Sequence, residues 1–149
     1  MHNRQHLDDY FLSLLPHIAT RSTCLRRQIG ALLVRNKQII STGFNGAPTG
    51  VKHCLTCMRE DKKIPSGQKQ ELCYAVHSEV NAILQAACHG ISTLGTTLYT
   101  STFPCSICAR ILINAGIEKI VYTDEYTDPF AKELLEEAEI KMERRCLNT

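Results

Sequence analysis

The sequence predicts an α/β protein built on a mixed sheet of about five strands with helices covering both faces. Three observations carry that prediction. Short β-branched and aromatic runs alternate with helix-period stretches, an early pair of apolar runs reads as an antiparallel hairpin, and the later alternation of strand and helix requires parallel crossovers.

The elements follow in order. Residues 5 to 20 carry Leu7, Phe11, Leu14, Leu15 and Ile18 at helical spacing on a polar segment, a first helix that Pro16 can bend. "IGALLVR" and "QIISTGF" flank the polar pair Asn36-Lys37, the pattern of two strands joined by a tight turn. From Asn45 to Glu71 the chain becomes polar and irregular, punctuated by Gly46, Pro48, Gly50, Pro65 and Gly67, a loop long enough to carry function. A helix from about His77 to His89 ends at Gly90, and "GTTLYTS" reads as a buried strand. A second short helix opens at Pro104-Cys105 and closes at Gly116, before the strand "IEKIVYT". An amphipathic helix over residues 129 to 138 leads into "EIKMERR", the last strand. No repeat, linker or low-complexity tract interrupts the chain, so residues 1–149 read as one domain, long enough to close a single core.

Charge and composition narrow the function classes. Seventeen Lys and Arg against fifteen Asp and Glu give a formal net charge of +2, without the basic excess expected of a chain that grips a long phosphate backbone. This balance speaks against nucleic acid as a partner and leaves a small anionic substrate open. The first residues, "MHNRQHLDDYFLSLLPHIA", are broken by Asp8, Asp9 and Pro16, and offer neither a signal-peptide core nor a membrane span. The expectation is a soluble, cytoplasmic protein without a membrane partner. Eight cysteines are many for such a chain, and inside a cell clustered cysteines point to metal ligands rather than disulfides.

The chemistry gathers around "VHSEV" and "PCSIC". Cys105 and Cys108 stand three residues apart where a helix starts, so both thiols face one way, and a helix N-terminus favours the thiolate that zinc requires. His77 opens the preceding helix, which a parallel crossover can bring alongside. Three protein ligands leave one tetrahedral position for water, whose pKa zinc lowers to near neutrality. Glu79, two residues from His77, is not needed as a ligand and is placed to take a proton from that water and hand it on. Either half alone is weak, since H-x-E pairs commonly face solvent and a lone C-x-x-C also suits a redox pair or a structural zinc. In this order, H-x-E followed by P-C-x-x-C resembles the signature of zinc-dependent nucleobase deaminases.

The chain resembles the cytidine and deoxycytidylate deaminase family along nearly its whole length, through "RRQIGALLV", "STGFNGAPTG", "VHSEVNAI" and "FPCSICARILINAGIEKIVY". The first two stretches are similar to the deoxycytidylate and competence-operon deaminase branch and unlike plain nucleoside deaminases. The resemblance implies a three-layer α/β/α sandwich, a homo-oligomer, and hydrolysis of deoxycytidylate (dCMP) to deoxyuridylate (dUMP) and ammonia. It implies that His77, Cys105 and Cys108 hold zinc, that Glu79 shuttles protons, and that Asn45 contacts the sugar, although an Asn before Gly46 also suits a plain turn. Ser78 stands where the family usually has alanine, and only its backbone N–H is expected to face the base. Two rival readings, a tRNA adenosine deaminase and a non-catalytic zinc-stabilised binding module, are opposed by the charge balance and by the presence of Glu79.

The remaining cysteines and cations complete the expectations. Cys24, Cys54, Cys57 and Cys73 can be gathered by the long loop around a second, closed zinc, with His53 as an alternative ligand; the other possibility is buried or free thiols. Cys88 and Cys146 have no partner by spacing and are expected in the core. Arg26, Arg27, Lys52 and Tyr126 are the candidates for meeting a 5'-phosphate, while most surface arginines merely solvate. A tyrosine after this strand approaches the substrate in the family; otherwise Tyr126 caps the sheet edge.

Overall fold

The computed structural model describes residues 2–147. Residues 1, 148 and 149, which the single-domain expectation includes, lie outside the described residues. The first helix, α1 (Leu7–Ala19), leads into β1 (Gly30–Arg35) and β2 (Gln38–Phe44). The next segment holds a one-turn helix, α2 (Met58–Asp61), and a 3₁₀ turn (Gln70–Leu72), before α3 (Ser78–Cys88). The chain continues through β3 (Thr96–Thr102), α4 (Ser106–Asn114), β4 (Ile117–Asp124), α5 (Pro129–Glu137) and β5 (Lys141–Arg144). The strands form one sheet in the order β2-β1-β3-β4-β5. β1 runs antiparallel to β2 and β3, while β3, β4 and β5 are parallel. This is the mixed five-stranded sheet that the sequence predicts.

Local chemistry explains the element ends. Asn36 and Lys37 both take positive φ, the conformation a two-residue hairpin turn demands. Asp8 and Asp9 lie in the first turn of α1, where the helix dipole favours negative charge. Pro16 does not interrupt α1; it is exposed and near the helix end, so the missing N–H costs little. Asp128 caps α5 by accepting from the Ala131 N–H at 3.0 Å.

Alternation along the strands splits the core into two layers. Leu32, Val34, Tyr99 and Val121 pack with Phe11, Leu12 and Leu15 of α1 on one face. Ala31, Leu33, Leu98 and Ile120 point the other way, against Ala82 of α3, Leu112 of α4 and Leu135 of α5. Each fully buried Leu or Ile contributes about 1.5–3 kcal/mol. Helix, sheet and helices thus form three layers, as the resemblance implies.

Two contacts fasten α3 to the hairpin. Gly43 lies so close that a Cβ there would overlap the Ser78 carbonyl oxygen and the Ala82 nitrogen, so only glycine allows β2 to approach the first turn of α3. Farther along, the Gln85 Oε1 accepts from the Thr42 N–H at 2.6 Å on the outer edge of β2. Cys88 and Cys146 depart from the expected burial: both are exposed. The inward stripe of α3 runs through Glu79, Ala82 and Ala86, which Cys88 misses, and Cys146 follows the partly exposed edge strand β5.

Candidate metal centre and its cavity

Two helix starts create the site. His77 is the N-cap residue of α3, in extended conformation, and Cys105 is the N-cap residue of α4. The α4 helix begins at Ser106, so Pro104 lies just outside it rather than at its first position. Backbone bonds in both directions between Gly46 and Val76, at 3.1 and 2.8 Å, fix the approach to His77. The Asn81 amide donates to the Phe44 carbonyl at 2.7 Å and secures the same turn. The second helix start is held by Asp128, whose Oδ2 accepts from the Ser106 N–H at 2.8 Å.

His77, Cys105 and Cys108 converge. Among the described residues they form the one such group whose ligand atoms all lie within 4.8 Å of one another. The His77 Nδ1 is 3.3 Å from the Cys108 Sγ and 3.5 Å from the Cys105 Sγ. Tetrahedral coordination with Zn–N near 2.0 Å and Zn–S near 2.3 Å separates nitrogen from sulfur by about 3.5 Å, so the residues fit a zinc ion. The thiols also suit a cation electrostatically. Cys105 has its pKa lowered to about 4, mainly by the hydrogen bond from Cys108 and against the cost of burial. Cys108 is pushed up because it keeps the shared proton and is buried.

Glu79 stands in the first turn of α3 with 3% exposure, its Oε2 3.9 Å from the Cys108 Sγ. Burial raises its pKa, with His77 opposing the shift, so this carboxyl holds a proton more readily than an ordinary glutamate. Hydrogen bonding to Cys105, partly offset by burial, raises the pKa of His77. The Ser78 hydroxyl, expected to be a bystander, is fully buried and donates to the Glu79 Oε2 at 3.0 Å. Sequence reading missed that contact because side-chain direction within a first helical turn is not a matter of spacing.

A cavity opens over this group. His77, Ser78, Glu79 and Cys105 line it together with Asn45, Arg26, Arg27 and Tyr126, so the substrate-binding candidates other than Lys52 have a side there. Asn45 is nearly buried and largely engaged: its Oδ1 accepts from the Ile29 N–H and the Ser22 hydroxyl, and its Nδ2 donates to the Arg27 carbonyl. One amide hydrogen remains for a ligand. Tyr126 is no edge cap; its hydroxyl meets the Gln70 amide at 3.3 Å across the cavity wall. Arg59, Gln70 and Thr102 also line the cavity, and no spacing or motif in the sequence pointed to them.

The second thiol group is looser. Cys24, Cys54, Cys57 and Cys73 line one neighbouring cavity with His53, and charge on Cys73, Cys24 and Cys57, after burial, raises the pKa of Cys54. Their ligand atoms do not meet the mutual spacing of the first group. Lys52 lines this second cavity and not the first, which removes it from the phosphate candidates. Among the described residues no helix is long and apolar enough to cross a membrane.

Comparison with known proteins agrees with this geometry. Residues 5–124 match the family model described as the cytidine and deoxycytidylate deaminase zinc-binding region. The chain is 36% identical over 140 residues to ComE operon protein 2 of Bacillus subtilis, covering 92% of this chain and 70% of that protein. It is 37% identical over 128 residues to the deoxycytidylate deaminase of Mycobacterium phage D29, covering 83% of this chain and 98% of that enzyme. Among solved structures, the dCMP deaminase of cyanophage S-TIM5 in complex with dCMP and dUMP is similar with a TM-score of 0.80 and 25% identity. That match covers 97% of this chain and all of the other.

Proposed function

The chain belongs to the cytidine and deoxycytidylate deaminase family, and on that footing we propose that it is a single deaminase domain hydrolysing dCMP to dUMP and ammonia. The observation that carries the reading is the buried Glu79 carboxyl beside the His77, Cys105 and Cys108 group in one cavity. A structural zinc has no use for such a carboxylate, whereas hydrolysis at an amino-bearing ring carbon needs a proton acceptor and donor at that place.

His77 through Nδ1, Cys105 and Cys108 would hold the zinc. Bound there, zinc supplies Lewis acidity that makes water a nucleophile near neutral pH. Glu79 accepts a proton from the attacking water and delivers it to N3 of the cytosine as the new C4–O bond forms. It then passes the water's second proton to the amino group, which leaves as ammonia when the C4–N bond breaks. The raised pKa of Glu79 suits a group that must give protons back as well as take them. Ser78 holds the Glu79 Oε2 through its hydroxyl, and its backbone N–H faces the base. Asn45 offers its remaining amide hydrogen to the sugar, while Arg26, Arg27 and Tyr126 meet the 5'-phosphate.

The same reading places a second zinc on Cys24, Cys54, Cys57 and Cys73, a cytoplasmic location, and a homo-oligomer. The neighbouring thiols around one cavity support the second zinc. The test is ammonia release from dCMP, CMP, deoxycytidine, dCTP and a tRNA anticodon stem, with zinc counted per chain. Turnover greatest on dCMP supports the assignment; release from RNA alone, or from none, overturns it. A count near two zinc ions supports the thiol site, and a count near one removes it.

A further inference from the structure

Among the described residues, five buried side-chain polar atoms lack a hydrogen-bond partner, and four of the five residues line the catalytic cavity: Arg26, Arg59, Gln70 and Thr102. Native structures rarely leave buried donors unsatisfied, and a concentration of them in one place marks a missing ligand. Two of the atoms are guanidinium donors, the Arg26 Nη1 and the Arg59 Nε. The cavity lining carries three arginines and one carboxylate, Glu79. The two guanidinium donors fit an anion with several acceptor oxygens, while the Gln70 Oε1, an acceptor, calls for a hydroxyl or amine hydrogen on the same ligand.

The two arginines are linked through one residue. Arg26 donates from Nη2 to the Ile64 carbonyl at 3.2 Å, and the Ile64 N–H donates to the Arg59 carbonyl at 2.8 Å. Arg59 lines the cavity together with His77 and Tyr126; the pKa of His77 is raised first by the hydrogen bond to Cys105 and that of Tyr126 first by burial, and the charge of Arg59 opposes both shifts. It belongs to α2, whose four residues include none that is buried, so apolar packing does not fix its place. What stands beside it is the thiol group. Cys57 is the N-cap residue of α2, its carbonyl accepts from the Asp61 N–H at 2.9 Å, and Arg59 lines both cavities.

We infer that Arg59 is a specificity-determining residue that reads the 5'-phosphate of a cytosine nucleotide, and that the thiol cluster of Cys24, Cys54, Cys57 and Cys73 sets its position. The inference rests on the deaminase reading for the identity of the nucleotide. A guanidinium offers parallel N–H donors that a phosphate accepts in pairs, which an ammonium cannot reproduce. A zinc ion held by the thiolates of this cluster, with their protons released to solvent, would tie the loop down and make monophosphate affinity depend on the cluster while Glu79, on α3, is left in place.

Steady-state kinetics on the zinc-loaded enzyme, with calorimetry of inorganic phosphate, test this. R59Q is expected to raise KM for dCMP on the order of 100-fold, the loss of a charge-assisted pair, while kcat changes far less. R59K is expected to recover part of the loss. Inorganic phosphate should compete with dCMP in the wild type and bind R59Q too weakly to measure. The double variant C54S/C57S should raise KM in the same direction while far-UV circular dichroism stays that of the wild type. A fall in kcat with KM unmoved, or phosphate binding R59Q as tightly as the wild type, overturns the role of Arg59. A wild-type KM in C54S/C57S overturns the role of the cluster. If the wild type releases no ammonia from any cytosine nucleotide, the deaminase reading fails instead, and phosphate calorimetry on R59Q and R59K still decides the anion site.

Discussion

Asp128 does not line the cavity, yet its removal should disturb the metal centre. Its two oxygens accept from the Ser106 N–H at 2.8 Å and the Ala131 N–H at 3.0 Å, so one carboxylate closes the start of α4, which carries Cys108, as well as that of α5. Loss of an N-cap costs about 0.5–2 kcal/mol, and charge-assisted bonds lie toward the upper end. For Asp128→Ala we therefore expect a loss of about 2–3 kcal/mol, with roughly 2–4 °C in Tm for each kcal/mol in a chain of this size. Metal-free protein followed by urea and thermal unfolding reads the stability change directly. Competition with a chromophoric chelator should show weaker zinc binding as well, because the α4 start no longer presents Cys105 and Cys108 at a fixed spacing. Asp128→Asn, which keeps one acceptor oxygen, should lose about half as much. A Tm shift under about 2 °C for Asp128→Ala would show that neither bond stabilises the fold and that the helix start is held by something else.

The other predictions address the site and the scaffold. Glu79→Gln should abolish ammonia release while the chain retains its catalytic zinc; measurable turnover with the metal in place would exclude Glu79 as the proton carrier. Ser78→Ala should lower kcat several-fold through loss of the 3.0 Å bond to Glu79, with Ser78→Thr recovering part of it, and an unaltered kcat in Ser78→Ala would return this residue to the bystander role. Gly43→Ala should destabilise the fold by about 1–3 kcal/mol, since the added methyl meets α3 backbone rather than a side chain that can turn away; wild-type stability in denaturant would contradict that packing. Glu143 is held below the ordinary carboxylate range first by Lys119 and then by Arg145. The stabilisation it provides is complete above the unfolded pKa and fades as pH falls through the lower folded value. Glu143→Gln should thus be less stable at pH 7 by under about 1 kcal/mol, because the pair is partly exposed, and should converge with the wild type as pH falls through the lowered folded pKa of Glu143. A gap that does not shrink at all as the pH is lowered from 7 into the acid range would mean that packing, not charge, accounts for it.

What could be read from the chain alone follows from the kind of signal each part leaves. Strands and helices were legible because burial imposes a period of 2 or 3.6, as in Leu32 and Val34 facing α1 while Ala31 and Leu33 face away. His77, Glu79, Cys105 and Cys108 were legible because ligands on helix starts keep fixed short spacings. Arg59 and Gln70 were not, because they lie on a segment with no period, and only the folding of that segment across the cavity gives them a role. Ser78 illustrates a third case: its position was evident, but the bond its hydroxyl makes depends on a rotamer. Cys88 and Cys146 were misplaced because cysteine is buried on average, and an average does not say which face of α3 or which end of β5 a residue occupies.

The bond from the Thr42 N–H to Gln85 bears on how this molecule avoids sticking to others. β2 is an outer strand, and outer strands offer free backbone groups that invite another chain to extend the sheet. By occupying one such donor in the middle of the strand, a helix side chain interrupts the row that a stray strand would need. A protein with Gln85 shortened to alanine would keep its catalytic apparatus but present a longer unbroken ribbon, and concentrated solutions of it should form fibres or sediment sooner than the parent.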